Sequence, residues 1–131
     1  MEKKAKILLV DDDIDFVEAT KIVLQSKPYE VIVASEGEEG LQKARKENPD
    51  LILLDIIMPV KDGFTAAEQL KKDPKLSKIP VIMLTSYSAK GAGTGIPRSR
   101  GAALEADDYI EKPVAPAELL RKVATYLKPK G

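Results

Sequence analysis

The chain has 131 residues, 44% of them apolar and 32% charged, with 21 basic and 21 acidic side chains. That length supports one buried core, and the even charge balance gives no bulk attraction to nucleic acid or to an anionic membrane. With no cysteine and no histidine, disulfide scaffolds, thiol nucleophiles, imidazole bases and His/Cys zinc sites are excluded, which leaves carboxylate, hydroxyl, amine and backbone chemistry.

In chain order, Lys3, Lys4 and Lys6 precede a first apolar run, Ile7 to Val10. It is too short for a signal-peptide core or a bilayer span, so a cytoplasmic chain with no membrane partner is expected. The run ends in Asp11, Asp12 and Asp13. A second run, Val31 to Ala34, leads to Ser35 and Glu38, spaced as a capping box for a helix carrying Leu41 and Ala44. A third, Leu51 to Leu54, ends in Asp55. Phe64, Ala67 and Leu70 then mark one face of a helix after Gly63. A fourth, Val81 to Leu84, ends in Thr85 and Ser86. Gly91, Gly93, Gly95 and Pro97 form a loop with four breakers in its span, so the next helix is expected to start late, near Arg98. A weaker fifth run, Tyr109 to Ile110, leads into Lys112. Behind Pro116, Leu119, Leu120, Val123, Ala124 and Leu127 recur at helical spacing. Strand starts near 6, 30, 51, 80 and 108 leave room for one helix in each gap. Continuous apolar runs without strict alternation fit strands covered on both faces, so the fold class is α/β, a (βα)5 doubly wound parallel sheet.

In such sheets ligands bind beyond the carboxyl ends of the strands. If the first and third strands are neighbours, a spacing of about 4.8 Å brings Asp55 close to Asp11 and Asp12. Three acids so close repel. Either a carboxyl takes up a proton or a hard cation neutralises the cluster, and all-oxygen ligands favour Mg²⁺, with Mn²⁺ also suited. Lys112 adds positive charge. The set suits phosphoryl transfer, with Asp55 the best-placed nucleophile and the Thr85 hydroxyl placed to donate to a phosphoryl oxygen.

The strings Val10-Asp11-Asp12, Leu54-Asp55-Ile56-Ile57-Met58-Pro59 with Asp62-Gly63, Leu84-Thr85-Ser86 and Tyr109-Ile110-Glu111-Lys112-Pro113 together resemble the receiver domain of two-component response regulators, over essentially the whole chain. The resemblance implies a flavodoxin-like strand order 2-1-3-4-5 and a single receiver domain over 1–131. It implies that Asp55 is the phosphoacceptor, that Asp12 ligates Mg²⁺ directly and Asp11 mainly through water, and that the Ile57 carbonyl completes the protein's share of the shell. Thr85 and Lys112 would contact the phosphoryl group, the Lys112–Pro113 peptide would be cis, and Tyr109 would be the aromatic switch. In that family Thr moves toward the phosphoryl group and the aromatic turns inward, altering the face of the fourth helix, fifth strand and fifth helix. The implied role is a signalling phosphoacceptor that catalyses only its own phosphorylation and dephosphorylation. The donor would be a histidine kinase or histidine phosphotransfer protein, and the output an unidentified protein target. The chain ends soon after its last helix, so no nucleic-acid partner is expected.

Competing motifs fail on spacing. Asp11, Asp13 and Asp15 begin like a calcium loop, but Phe16 stands at the required glycine and Ile22 at the final acid. The glycines at 91, 93 and 95 match neither a phosphate-binding Walker loop nor a dinucleotide fingerprint. A haloacid-dehalogenase-like phosphatase would use Asp11 and Asp13, yet Asp15 stands where its Thr or Val belongs and no cap insertion is present. A receiver-shaped binding module that never uses its phosphate site is the remaining alternative, since the segment between Thr85 and Lys112 is long and its additional length falls in the glycine-rich stretch. Finally, Ile57 and Tyr87 offer no carboxylate or amide to orient a hydrolytic water, so slow self-dephosphorylation is expected.

Overall fold

The computed structural model describes residues 5–55, 69–85, 107–112 and 114–127. Its strands are β1 (Ala5–Val10), β2 (Tyr29–Ala34), β3 (Leu51–Asp55), β4 (Val81–Thr85) and β5 (Asp108–Glu111), and its helices are α1 (Ile14–Gln25), α2 (Gly37–Glu47) and α3 (Pro116–Tyr126). Residues 69–72 are also helical. The strands form one parallel sheet in the order β2-β1-β3-β4-β5. The strand starts lie within a residue of those expected. The helix after Gly63 before residue 69, the late helix near Arg98, the Gly91 to Pro97 loop, Ile57, Tyr87 and Pro113 all lie outside the described residues.

Because neighbouring side chains of a strand point to opposite faces, each apolar run feeds two layers at once. Leu8, Val10, Ile52, Leu54, Val81 and Met83 pack on one side with Leu41 and Ala44 of α2. Ile7, Leu9, Leu51, Leu53, Ile82 and Leu84 pack on the other with Val17 and Leu24 of α1 and Leu119 and Val123 of α3. This double covering is why the runs lack alternation. Each fully buried aliphatic side chain contributes roughly 1.5–3 kcal/mol, so the layers together fix where the strands end. In α3 the expected stripe holds except at one position: Leu119 and Val123 are buried and Leu120 and Leu127 pack against the same layer, whereas Ala124 is exposed.

Two helix starts show how local chemistry sets the strand-to-helix turns. Asp13 caps α1, its carboxylate accepting the Phe16 N–H at 3.2 Å. The start of α2 corrects the expected capping box by one residue. Glu36, not Ser35, is the N-cap, its Oε1 accepting the N–H groups of Glu38 (2.8 Å) and Glu39 (3.3 Å). Glu39, not Glu38, reaches back, accepting from the Ser35 N–H (2.8 Å) and hydroxyl (2.9 Å). The Ser35 N–H and its hydroxyl, with the Lys43 ammonium at 3.1 Å, hold the Glu39 carboxyl below the usual range.

At the opposite end of the sheet the junctions are ionic. Asp107 Oδ2 accepts the Val81 N–H at 2.8 Å, and Lys122 of α3 places its ammonium 3.0 and 3.1 Å from the two oxygens of Asp108. Burial opposes ionisation of Asp108, but Lys122, the Tyr109 N–H and the Tyr126 hydroxyl outweigh it and keep its carboxyl below the usual range. Among the described residues no helix is long and apolar enough to cross a membrane.

Candidate functional site

The site is built by strand ends. Pairing of β1 with β3 sets Val10 opposite Leu54, so the next residues along, Asp11 and Asp55, stand side by side at the carboxyl edge of adjacent strands. Asp11 is anchored there because its N–H continues the ladder to the Ala34 carbonyl at 3.1 Å. Its Oδ1 accepts the Asp13 N–H at 3.0 Å, which stiffens the turn into α1. Asp11 and Asp55 are 2% and 6% exposed, while Asp12 faces solvent.

One carboxylate oxygen from each of Asp11, Asp12 and Asp55 lies within 4.8 Å of the other two. This is the cluster expected from the strand ends. Lys112, just beyond β5, completes it: its ammonium donates to Asp11 Oδ2 at 2.8 Å and lies 3.7 Å from Asp55 Oδ1. Three carboxylates so close repel one another, and burial of two of them raises the cost. Hard oxygen donors at this separation, one open to solvent and two inside, fit a small divalent cation such as Mg²⁺.

The other expected residues fall as follows. Thr85 ends β4, opposite Glu111 and one residue beyond the partner of Asp55, so its backbone is at the same edge. Tyr109 is half-buried against the layer that holds Val81 and Met83, and burial pushes its phenol up. Asp13 is engaged as the α1 cap. Ile57 lies outside the described residues.

Phe16 was legible in the sequence only as the residue that breaks a calcium loop. In the structure the Lys112 ammonium sits 4.2 Å from the centre of its ring. No local pattern announces this contact, because its partners come from opposite ends of the chain; a phenylalanine one turn into the helix that follows Asp11 and Asp12 is the only cue.

Comparison with known proteins agrees with this geometry. Residues 7–124 match the response regulator receiver domain. The alkaline phosphatase synthesis transcriptional regulatory protein PhoP of Bacillus subtilis is 38% identical over 123 residues, 94% of this chain and 48% of that protein. A response regulator receiver domain protein (CheY-like) of Methanospirillum hungatei superposes with a TM-score of 0.82 at 34% identity, over 95% of this chain and 94% of that one. The receiver domain of a sensor histidine kinase from Pseudomonas aeruginosa, solved with a magnesium ion coordinated in its active site cleft, gives 0.84 at 27% identity over 97% of this chain and 100% of that one. The chain spans about half the length of the curated relatives it matches.

Proposed function

The chain belongs to the response regulator receiver family, and from that membership we propose that it accepts a phosphoryl group on Asp55 from a phosphohistidine of a histidine kinase or phosphotransfer protein. The observation that carries this reading is the convergence of Asp11, Asp12, Asp55 and Lys112 on one strand edge, with Lys112 between Asp11 and Asp55. The 131 residues act as one receiver domain.

Asp55 attacks in line: its oxygen forms the new P–O bond as the P–N bond of the donor breaks, and the electron pair leaves with the donor's imidazole. Asp11, Asp12 and Asp55 would hold Mg²⁺, with the Ile57 carbonyl as a further ligand, and when bound the ion offsets charge on the phosphoryl oxygens. Lys112 offsets more of that charge, and the Thr85 hydroxyl donates to a phosphoryl oxygen. Burial keeps Asp55 away from bulk water, which protects the acyl phosphate. The added charge then biases Tyr109 and the surface around β5 and α3 between two arrangements, and a protein target reads the difference.

The decisive measurement is intact mass after incubation with Mg²⁺ and acetyl phosphate. The wild type should gain one phosphoryl group and Asp55→Asn none. No gain in either would favour a receiver-shaped binding module that works without phosphate. Turnover of a generic phosphomonoester would instead favour a phosphatase.

A further inference from the structure

We infer that Phe16 is a positioning residue for phosphoryl transfer, acting by holding the Lys112 ammonium over the acidic cluster; this rests on the phosphoacceptor reading of the site.

Lys112 is a long side chain that loses much rotamer freedom in order to reach Asp11 and Asp55. Among the described residues three contacts hold its ammonium: Asp11 at 2.8 Å, Asp55 at 3.7 Å and the Phe16 ring, whose centre is 4.2 Å away. The side chain is 20% exposed, so the ammonium is partly desolvated and its attraction to the ring quadrupole is strengthened. The three contacts differ in kind. Asp11 and Asp55 both belong to the cluster that suits a divalent cation, and Asp55 is also the proposed acceptor, so each carboxylate is shared with another charge during the reaction. The ring of Phe16 has no lone pair to give to a cation or to phosphorus. It is therefore the one of the three contacts that can persist while the carboxylates are engaged elsewhere.

The geometry also fixes the ring. Phe16 lies one turn into α1, and its own N–H is bound by the Asp13 cap. Asp13 is in turn tied to Asp11 by its N–H. The ring packs against the layer containing Ile7, Leu9 and Val17. The turn that places the acids thus also places the ring against which the lysine rests.

The test compares Phe16→Leu, which keeps apolar bulk without a π face, with Phe16→Tyr, which keeps the ring. A small-molecule donor, acetyl phosphate with Mg²⁺, removes any contribution from docking of a kinase against α1. The initial rate of Asp55 phosphorylation should fall about three- to tenfold in Phe16→Leu and return to within about twofold of wild type in Phe16→Tyr. In a Lys112→Met background, Phe16→Leu should cause no further loss. An equal loss in that background means that Phe16 acts through packing and overturns the inference, as does a wild-type rate in Phe16→Leu. A second readout needs no phosphorylation: the ε-methylene protons of Lys112 should be shifted upfield by the ring current in wild type and Phe16→Tyr, and not in Phe16→Leu. If the wild type accepts no phosphoryl group, the proposed function fails, and this shift alone decides where Lys112 is held. Equal positions in wild type and Phe16→Leu would then overturn the placement.

Discussion

Lys112 and the three aspartates are in competition as well as in partnership. The ammonium neutralises part of a cluster whose carboxylates would otherwise repel, so in the absence of a cation it stabilises the site through its 2.8 Å bond to buried Asp11. The same ammonium sits beside two of the carboxylates that a divalent cation would use. Replacing the lysine should therefore move two quantities in opposite directions. In Lys112→Met, Mg²⁺ measured by calorimetric titration should bind more tightly, by about three- to tenfold, because the ion then relieves the repulsion that the ammonium had relieved. Phosphorylation of Asp55 by acetyl phosphate should fall at least about tenfold, because the ammonium that offsets charge on the transferring group is gone. Weaker Mg²⁺ binding would show that Lys112 supports the cation site instead of competing for it.

At the level of elements, the site depends on how closely α2 approaches β1. A Cβ built on Gly40 would lie 2.9 Å from Val10 Cγ2 and 3.2 Å from Cγ1, and Val10 is the residue that delivers Asp11. Valine cannot move those methyls aside cheaply, since a β-branched side chain has few χ1 choices. Gly40→Ala should therefore destabilise by about 1–2 kcal/mol in urea denaturation, the strain exceeding the roughly 0.5–1 kcal/mol that alanine gains over glycine inside a helix. In a Val10→Ala background the sign should reverse, because only the helix gain remains. A loss in both backgrounds would place the cost elsewhere than at Val10. This contact was invisible in the sequence, where Gly40 is simply a poor helix former. What was legible follows from physics that acts locally or through the sheet. Runs such as Leu51 to Leu54 are apolar throughout because both faces are covered, and Asp55 stands out because it ends one. The short β5, with Asp108 and Glu111 at its ends, gave only Tyr109 and Ile110 to read. Ser35 with Glu38 fits the spacing of a cap, but Glu36 takes that place in the structure, a residue that cap preferences alone do not select. The pairing of Phe16 with Lys112 depends on α1 and β5 meeting in space, and no window of sequence contains both.

On the scale of the whole molecule the formal net charge is zero, so no bulk field concentrates cations around it, and an effect of millimolar Mg²⁺ on folding has to arise locally. The cluster is the place where it should arise. Two unit charges about 5 Å apart at an effective dielectric near 20 repel by roughly 3 kcal/mol, and Asp11, Asp12 and Asp55 keep oxygens within 4.8 Å with Lys112 as their close cation. The unfolded chain separates Asp55 from the adjacent Asp11 and Asp12, so folding adds the repulsion between Asp55 and that pair, and an ion bound only by the folded state recovers it. At about 100 times its dissociation constant such an ion adds about 2.7 kcal/mol, which for a domain of this size corresponds to a rise in Tm of roughly 10 °C. Asp12→Asn separates this account from a general salt effect. Asp12 is exposed and makes no described contact with the core layers, so its neutralisation should relieve repulsion without disturbing packing. Without Mg²⁺ the variant should melt above wild type; with Mg²⁺ its gain should be much smaller than that of wild type, since one of the three carboxylates is lost. Thermal unfolding of both proteins, with Mg²⁺ and with a matched concentration of monovalent salt, checks both signs, and equal Mg²⁺ shifts in the two proteins would remove Asp12 from the cation site.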